Sequence, residues 1–427
     1  KQIEDYTFSD DEAQLLLTAG SEAIYRHSTK EWTYVYDNTT RKVAGLNEKG
    51  KQMHATFSPD GKKVGFVMDN NMYYKDLASG KITQVTTDGK WNHIINGSCD
   101  WVYEEEFSFT KAFAWSPDNR YIAYYRFDES AVKEFTMTNY TGELYPENVT
   151  FKYPKVGMEN SKVSIHIFDT KTKKKVDVDR TSDPDGYIPR IKWTNDPSKL
   201  CVFWMNRHQN HLELLIANSV SGKTTKLLQE ENKYYIDIHD NLTFLQDGQG
   251  FIWTSEQDGF NHIYLYDMSG SLKKQITTGN WEVTSFYGVD EKNKAIYYQS
   301  ASASPMEREI FSVGLDGVTK KQLHVDKGMN TAQFSTTFDL FVLNHSTINS
   351  APTYTVYDRK GKVVRVLENN EGVKAQQDEA GAQPVEFFNF TTSEGVDLNG
   401  YMIKPANFDA TKKYPVLVYL YNGPHSQ

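Results

Sequence analysis

A turn-and-strand unit recurs along the chain and constrains its fold more than any other feature. Phe8-Ser9-Asp10-Asp11 leads into Leu15-Leu16-Leu17, Phe57-Ser58-Pro59-Asp60-Gly61 into Val64-Gly65-Phe66-Val67, and Trp115-Ser116-Pro117-Asp118-Asn119 into Tyr121-Ile122-Ala123-Tyr124-Tyr125. Weaker copies start at Asn195-Asp196-Pro197, Leu245-Gln246-Asp247-Gly248, Asp290-Glu291-Lys292-Asn293 and Ser335-Thr336-Thr337, which makes seven. Each turn precedes an apolar strand and then a second strand that often closes on aspartate, as in Tyr73-Tyr74-Lys75-Asp76 and Ile263-Tyr264-Leu265-Tyr266-Asp267. Proline's fixed φ and glycine's tolerance of positive φ preset the Ser-Pro-Asp-Gly turn. A three- or four-stranded unit cannot bury both faces alone, so neighbours must stack. A period of roughly 40–50 residues with four strands per repeat predicts an all-β fold, a β-propeller. An array of β-sandwiches is the alternative, but those domains run to about 100 residues each.

Two departures from the repeat mark its organisation. The interval from Ser116 to Asn195 is too long for one unit, and its surplus at about 128–160 reads as an inserted arm, rich in Tyr, Phe and Met. Near Asn370 the pattern stops, and 369–383 reads as a polar linker. Beyond it, Val385–Phe390 and Leu398–Pro405 read as paired strands. Residues 414–421, Tyr-Pro-Val-Leu-Val-Tyr-Leu-Tyr, form a near-continuous apolar run into Asn422-Gly423-Pro424, the pattern of a parallel α/β sheet. The expected division is a propeller over 1–380 and, over 381–427, the linker and first strands of an incomplete second domain.

Composition narrows the function classes. The net charge of −9 comes without any basic block, so nucleic acid is not an expected partner. No run approaches the roughly 18 apolar residues of a membrane helix. The start, Lys1-Gln2-Ile3-Glu4-Asp5, has no signal-type apolar segment, so the chain is expected to be mature, trimmed or cytosolic. Cys99 and Cys201 are read as two free, partly buried thiols. His93, His208, His211, His239 and His262 show no ligand spacing, so neither metal nor cofactor is expected.

Chemistry concentrates in Asp100-Trp101-Val102-Tyr103-Glu104-Glu105-Glu106-Phe107. Three consecutive carboxylates lie among Trp101, Tyr103, Phe107 and Phe109, where an ionised acid is costly unless it meets a cation or hydrogen-bond donors. The residues alone weigh a cation-recognition site and a solvated acidic turn about equally.

That segment resembles the signature of the dipeptidyl peptidase IV family, in the prolyl oligopeptidase class of serine peptidases. Tyr25-Arg26-His27-Ser28, Tyr153-Pro154-Lys155-Val156-Gly157, Arg207-His208-Gln209-Asn210, Gly279-Asn280-Trp281-Glu282-Val283 and 414–424 agree in order, so the resemblance spans essentially the whole chain. Phe127–Glu134 resembles a bacterial member. The resemblance implies an eight-bladed propeller capping an α/β-hydrolase domain, with about seven blades present here. It also implies hydrolysis that releases N-terminal dipeptides, preferentially Xaa-Pro or Xaa-Ala, from a peptide with a free N-terminus, in a periplasmic or secreted protein. By resemblance, Glu105 and Glu106 bind the substrate's α-ammonium, Arg26 binds its second carbonyl, and Tyr421 donates to the oxyanion; His27 is read as structural. No Gly-x-Ser-x-Gly occurs, so the catalytic Ser, Asp and His are expected outside these residues and the chain alone is expected to be inactive. Family members commonly dimerise. The family's second arginine and phenylalanine have no counterpart near Tyr235-Ile236-Asp237-Ile238. The competing readings are a non-catalytic propeller used as a binding module and a tripeptidyl peptidase of the same class.

Overall fold

A computed structural model of the chain describes residues 2–142, 144–179, 186–421 and 423. Seven sheets of one design run from residue 5 to residue 368, spanning 5–45, 53–84, 113–177, 187–231, 243–275, 283–322 and 329–368. Each contains an antiparallel meander of four strands, and these are the blades of a β-propeller. All seven repeat starts seen in the sequence fall at the turn between a blade's first and second strands. The turn has one construction. Ser9, Ser58, Ser116, Thr194, Leu245 and Ser335 each donate their backbone N–H to the carbonyl five residues on. In the first three, the serine Oγ also donates to the aspartate two residues on, at 2.6, 2.7 and 2.5 Å, and accepts the N–H five residues on. Ser-x-Asp therefore satisfies backbone and side-chain groups together at a buried corner.

Two compact units divide the chain, 1–240 with four blades and 241–427 with three. In each, the core lies between blades. In the first unit, Leu16 and Leu46 close on Val64 and Phe66 of the next blade. Val67, Met72 and Tyr74 then meet Phe113, Trp115 and Ile122 of the third. Tyr125 and Ile165 meet Val202 and Trp204 of the fourth. Gly65 shows how tightly the faces approach, because a methyl group there would lie 3.0 Å from Phe113 and 3.2 Å from Trp115. In the second unit, Ile252 and Ile263 pack with Ile296 and Tyr298, and Tyr297 and Ile310 with Phe341 and Leu343.

The third blade departs from the plain meander. A short strand, Ile94–Asn96, pairs with its Tyr121–Asp128 strand, and the hairpin Glu134–Asn139/Glu147–Lys152 emerges between its second and third strands. Cys99 and Cys201 are free and buried. Two segments of the second unit differ from the sequence reading. Residues 371–379 form an exposed helix within the stretch read as linker. Glu386–Thr391 and Asp397–Met402 pair as read, but 414–421 form no strand. A sheet strand exists through hydrogen bonds to neighbours, and among the described residues none pairs with this segment; Leu417 is 94% exposed.

The aspartates that close the blades' third strands have a common role. Asp37, Asp76, Asp267 and Asp358 each accept backbone N–H groups of the following turn, at 2.7–3.1 Å. Their carboxyls are held below the ordinary range, chiefly by the Thr40 N–H, the Ser79 hydroxyl, the Ser269 hydroxyl and the Lys362 N–H respectively. A depressed folded-state pKa contributes stability that is present above the unfolded value of about 4 and lost as pH falls through the folded one. The urea midpoint should therefore fall steadily between about pH 4 and pH 2. Replacing all four by Asn should flatten that slope, and an equally steep slope in the quadruple variant would refute the assignment.

Candidate functional site

The acidic segment is a short helix, Trp101–Glu106, in the connection from the second blade to the third. Asp100 caps it: the Tyr103 N–H donates to its Oδ1 at 3.0 Å, while the Ser161 hydroxyl donates to its Oδ2 at 2.5 Å. Burial pushes the Asp100 carboxyl up, against those two donors. Six residues cannot sustain a helix in water, so tertiary packing must hold this one. Tyr103, 2% exposed, lies within 4.9–5.9 Å of the Phe107, Phe109 and Phe127 rings, and its hydroxyl accepts the Ile188 N–H at 2.9 Å. At the other end Arg190 donates to the Phe107 carbonyl at 2.7 Å and pairs with Asp240 at 2.5 Å, which sets a cation at the helix C-terminus.

The three glutamates diverge because a helix turns about 100° per residue. Glu104 points inward and is 1% exposed; its Oε1 accepts the N–H of His27 at 2.6 Å and of Ser28 at 3.1 Å. Glu105 lies at the surface, its side chain 17% exposed, and pairs with Arg26 at 2.8 Å from Nε to Oε1. Glu106 is exposed, and its charge, after burial and Asp237, helps push the Tyr235 hydroxyl up. Arg26 belongs to the loop between the first blade's second and third strands, which is closed by an Ile24 N–H to Ser28 carbonyl bond of 2.8 Å. Arg26, Glu105 and Glu106 thus come from one neighbourhood although the loop and helix are far apart in sequence. Tyr421 belongs to the second unit, 75% exposed in the segment that forms no strand.

The base of the arm joins this neighbourhood. Tyr153 sits 4.4 Å from Trp101 and Phe151 6.0 Å from Tyr25, between ring centroids. Glu129, 2% exposed, is pushed up to about 7 by burial and then by Asp100, against Lys152. Burial, then Glu129, Asp100 and Glu104, drives the Tyr25 hydroxyl up as well. Sequence reasoning missed the inward role of Glu104, the Ser161 link and the proximity of Tyr235 to Glu106. An aspartate three residues before Tyr103 is an N-cap spacing, the one local signal that could have announced the helix.

A sequence model described as the dipeptidyl peptidase IV (DPP IV) N-terminal region matches residues 9–352. The chain belongs to this family. Curated relatives include a probable dipeptidyl peptidase 4 of Arthroderma benhamiae, 28% identical over 99% of this chain and 56% of the relative. A probable dipeptidyl-aminopeptidase B of Aspergillus niger is 31% identical over 97% of this chain and 50% of its own length. Among solved structures, Porphyromonas gingivalis dipeptidyl peptidase 4 is similar with a TM-score of 0.93 and 40% identity, covering 97% of this chain and 59% of that one. A putative dipeptidyl aminopeptidase IV from Bacteroides ovatus gives 0.80 and 26%. The chain thus spans about half to three fifths of the length of these relatives.

The Tyr103 hydroxyl supports the helix from below, so its removal should be felt. Tyr103→Phe keeps the ring but leaves the buried Ile188 N–H without its acceptor, a loss of about 1–3 kcal/mol. Urea unfolding should show the decrease, and an unchanged midpoint would mean that the hydroxyl is not needed.

Proposed function

We propose that this chain is the substrate-selecting part of a serine exopeptidase that releases dipeptides from free N-termini, preferentially Xaa-Pro or Xaa-Ala. The observation that carries the reading is the arrangement of acceptors around Arg26. Its guanidinium occupies one oxygen of Glu105. Among the described residues no hydrogen bond is made to the second oxygen of Glu105 or to either oxygen of Glu106. These three carboxylate oxygens match in number the three N–H donors of an α-ammonium, and charge assistance makes such bonds strong. The Arg26 fork, 69% exposed, keeps donors to spare for a substrate carbonyl. An enzyme that grips the amino terminus at a fixed distance from its nucleophile counts residues, which is the requirement for dipeptide release.

Relatives named dipeptidyl peptidase support this reading at the level of the reaction. Residues 1–380 are assigned to the propeller, with its arm at about 128–160, and 381–427 to the start of the hydrolase domain, where Tyr421 would serve as an oxyanion donor. Since residues 1–427 hold no Gly-x-Ser-x-Gly, selection rather than bond cleavage is their assigned task. A periplasmic or secreted location and a homodimeric intact protein follow from the same reading.

In the full-length protein, Glu105→Gln combined with Glu106→Gln should lower kcat/KM for Xaa-Pro substrates by about 100-fold or more, since each charged hydrogen bond contributes roughly 1.5–3 kcal/mol. Product analysis with unblocked and N-acetylated peptides checks it. Wild-type rates in the double variant, or cleavage of the acetylated peptide, would refute the clamp; no dipeptide release by the wild type would leave a non-catalytic binding module.

A further inference from the structure

We infer that Glu104 is a positioning residue: it splices the Arg26 loop to the glutamate helix and so fixes the spacing of the clamp, an inference that rests on the function proposed above. The loop and the helix have no shared strand to hold them in register. The Arg26–Glu105 pair does not set that register, because its arginine is 69% exposed and an ion pair with one partner so open to water is weak and screened. Glu104 is placed differently. It is buried, it adjoins Glu105 in the chain, and its Oε1 takes the backbone N–H of both residues that follow Arg26, at 2.6 and 3.1 Å across 77 and 76 residues of sequence.

These bonds are to backbone, so they fix where the loop stands rather than how one side chain turns. Both converge on a single oxygen; among the described residues no donor reaches the buried Oε2. A buried carboxylate with one unserved oxygen is a costly way to satisfy two amides. The geometry accounts for it: from a helix whose next residue, Glu105, pairs with Arg26 of the same loop, a glutamate's reach and rotation bring Oε1 to the loop. Glutamine shares that reach and keeps the Oε1 acceptor. Aspartate keeps the carboxyl group and falls one methylene short. Alanine keeps neither.

The test compares Glu104→Gln, Glu104→Asp and Glu104→Ala in the full-length protein, using an Xaa-Pro substrate and normalising to folded protein by active-site titration. Glu104→Ala and Glu104→Asp should raise KM about tenfold or more while kcat changes less, whereas Glu104→Gln stays within about threefold of wild type. In an Arg26→Ala background, Glu104→Asp should cost no more than about twofold further, because the part it positions is gone. Wild-type KM in Glu104→Asp would overturn the inference, and so would costs that simply multiply in the double variant. Should Glu104→Ala not fold, the Asp and Gln comparison still decides the matter. The parent reading is separable. It fails if Glu105→Gln with Glu106→Gln leaves dipeptide release intact, whereas an inactive double variant beside a normal Glu104→Asp removes only the positioning role.

Discussion

A four-stranded antiparallel sheet with two apolar faces has no stable existence until each face is covered, and here the covering surface is the next blade. Among the described residues, the core clusters named above lie between sheets rather than within one. Val64 and Phe66 are buried by the first blade, and Val67 and Met72, on the same hairpin, are buried with the third. This explains the glycine at position 65, where Phe113 and Trp115 leave no space for a methyl group. It also explains what the connections between blades can do. Held at both ends by packed sheets, they can carry polar and charged groups in positions that a free loop would not maintain.

The Trp101–Glu106 helix uses that freedom. It is too short to form alone, and its aromatic underside makes it a rigid fixture: Tyr103 is surrounded by Phe107, Phe109 and Phe127 and bonded to Ile188. The helical rotation then gives three identical side chains three environments. One is buried against backbone amides, one is paired with arginine at the surface, and one is in solvent. A strand would have placed Glu104 and Glu106 on the same face, and the separation of one buried carboxylate from an exposed one would have been lost.

Much of the fold was legible because the repeat has a physical cause that leaves residues behind. Ser9, Ser58 and Ser116 with their aspartates form the same buried corner, so their spacing announced the first-to-second strand turn in each blade. The copies at Thr194 and Leu245 keep the backbone bond without the serine, and were still found from their position in the period. The helix was not legible, since six residues give no periodicity to read and the signal was one capping aspartate. The role of Glu104 was hidden for a different reason: it depends on amides 76 and 77 residues away, and three adjacent glutamates look alike in sequence. The apolar run at 414–421 failed in the opposite sense. Its composition suits a doubly covered strand, but composition does not supply the neighbouring strands that its backbone would bond.

Charge in the site is arranged by depth. Asp100 and Glu129 lie beneath the helix and the arm, where burial pushes both carboxyls up, Glu129 to about 7. Near neutral pH Glu129 therefore carries only part of a negative charge. Glu105 and Glu106 lie nearer the surface, and Arg26 pairs with only one of them. Surface acids over a partly neutralised interior direct their field outward rather than into the core. A uniformly ionised cluster would instead strain the packing that holds the helix in place.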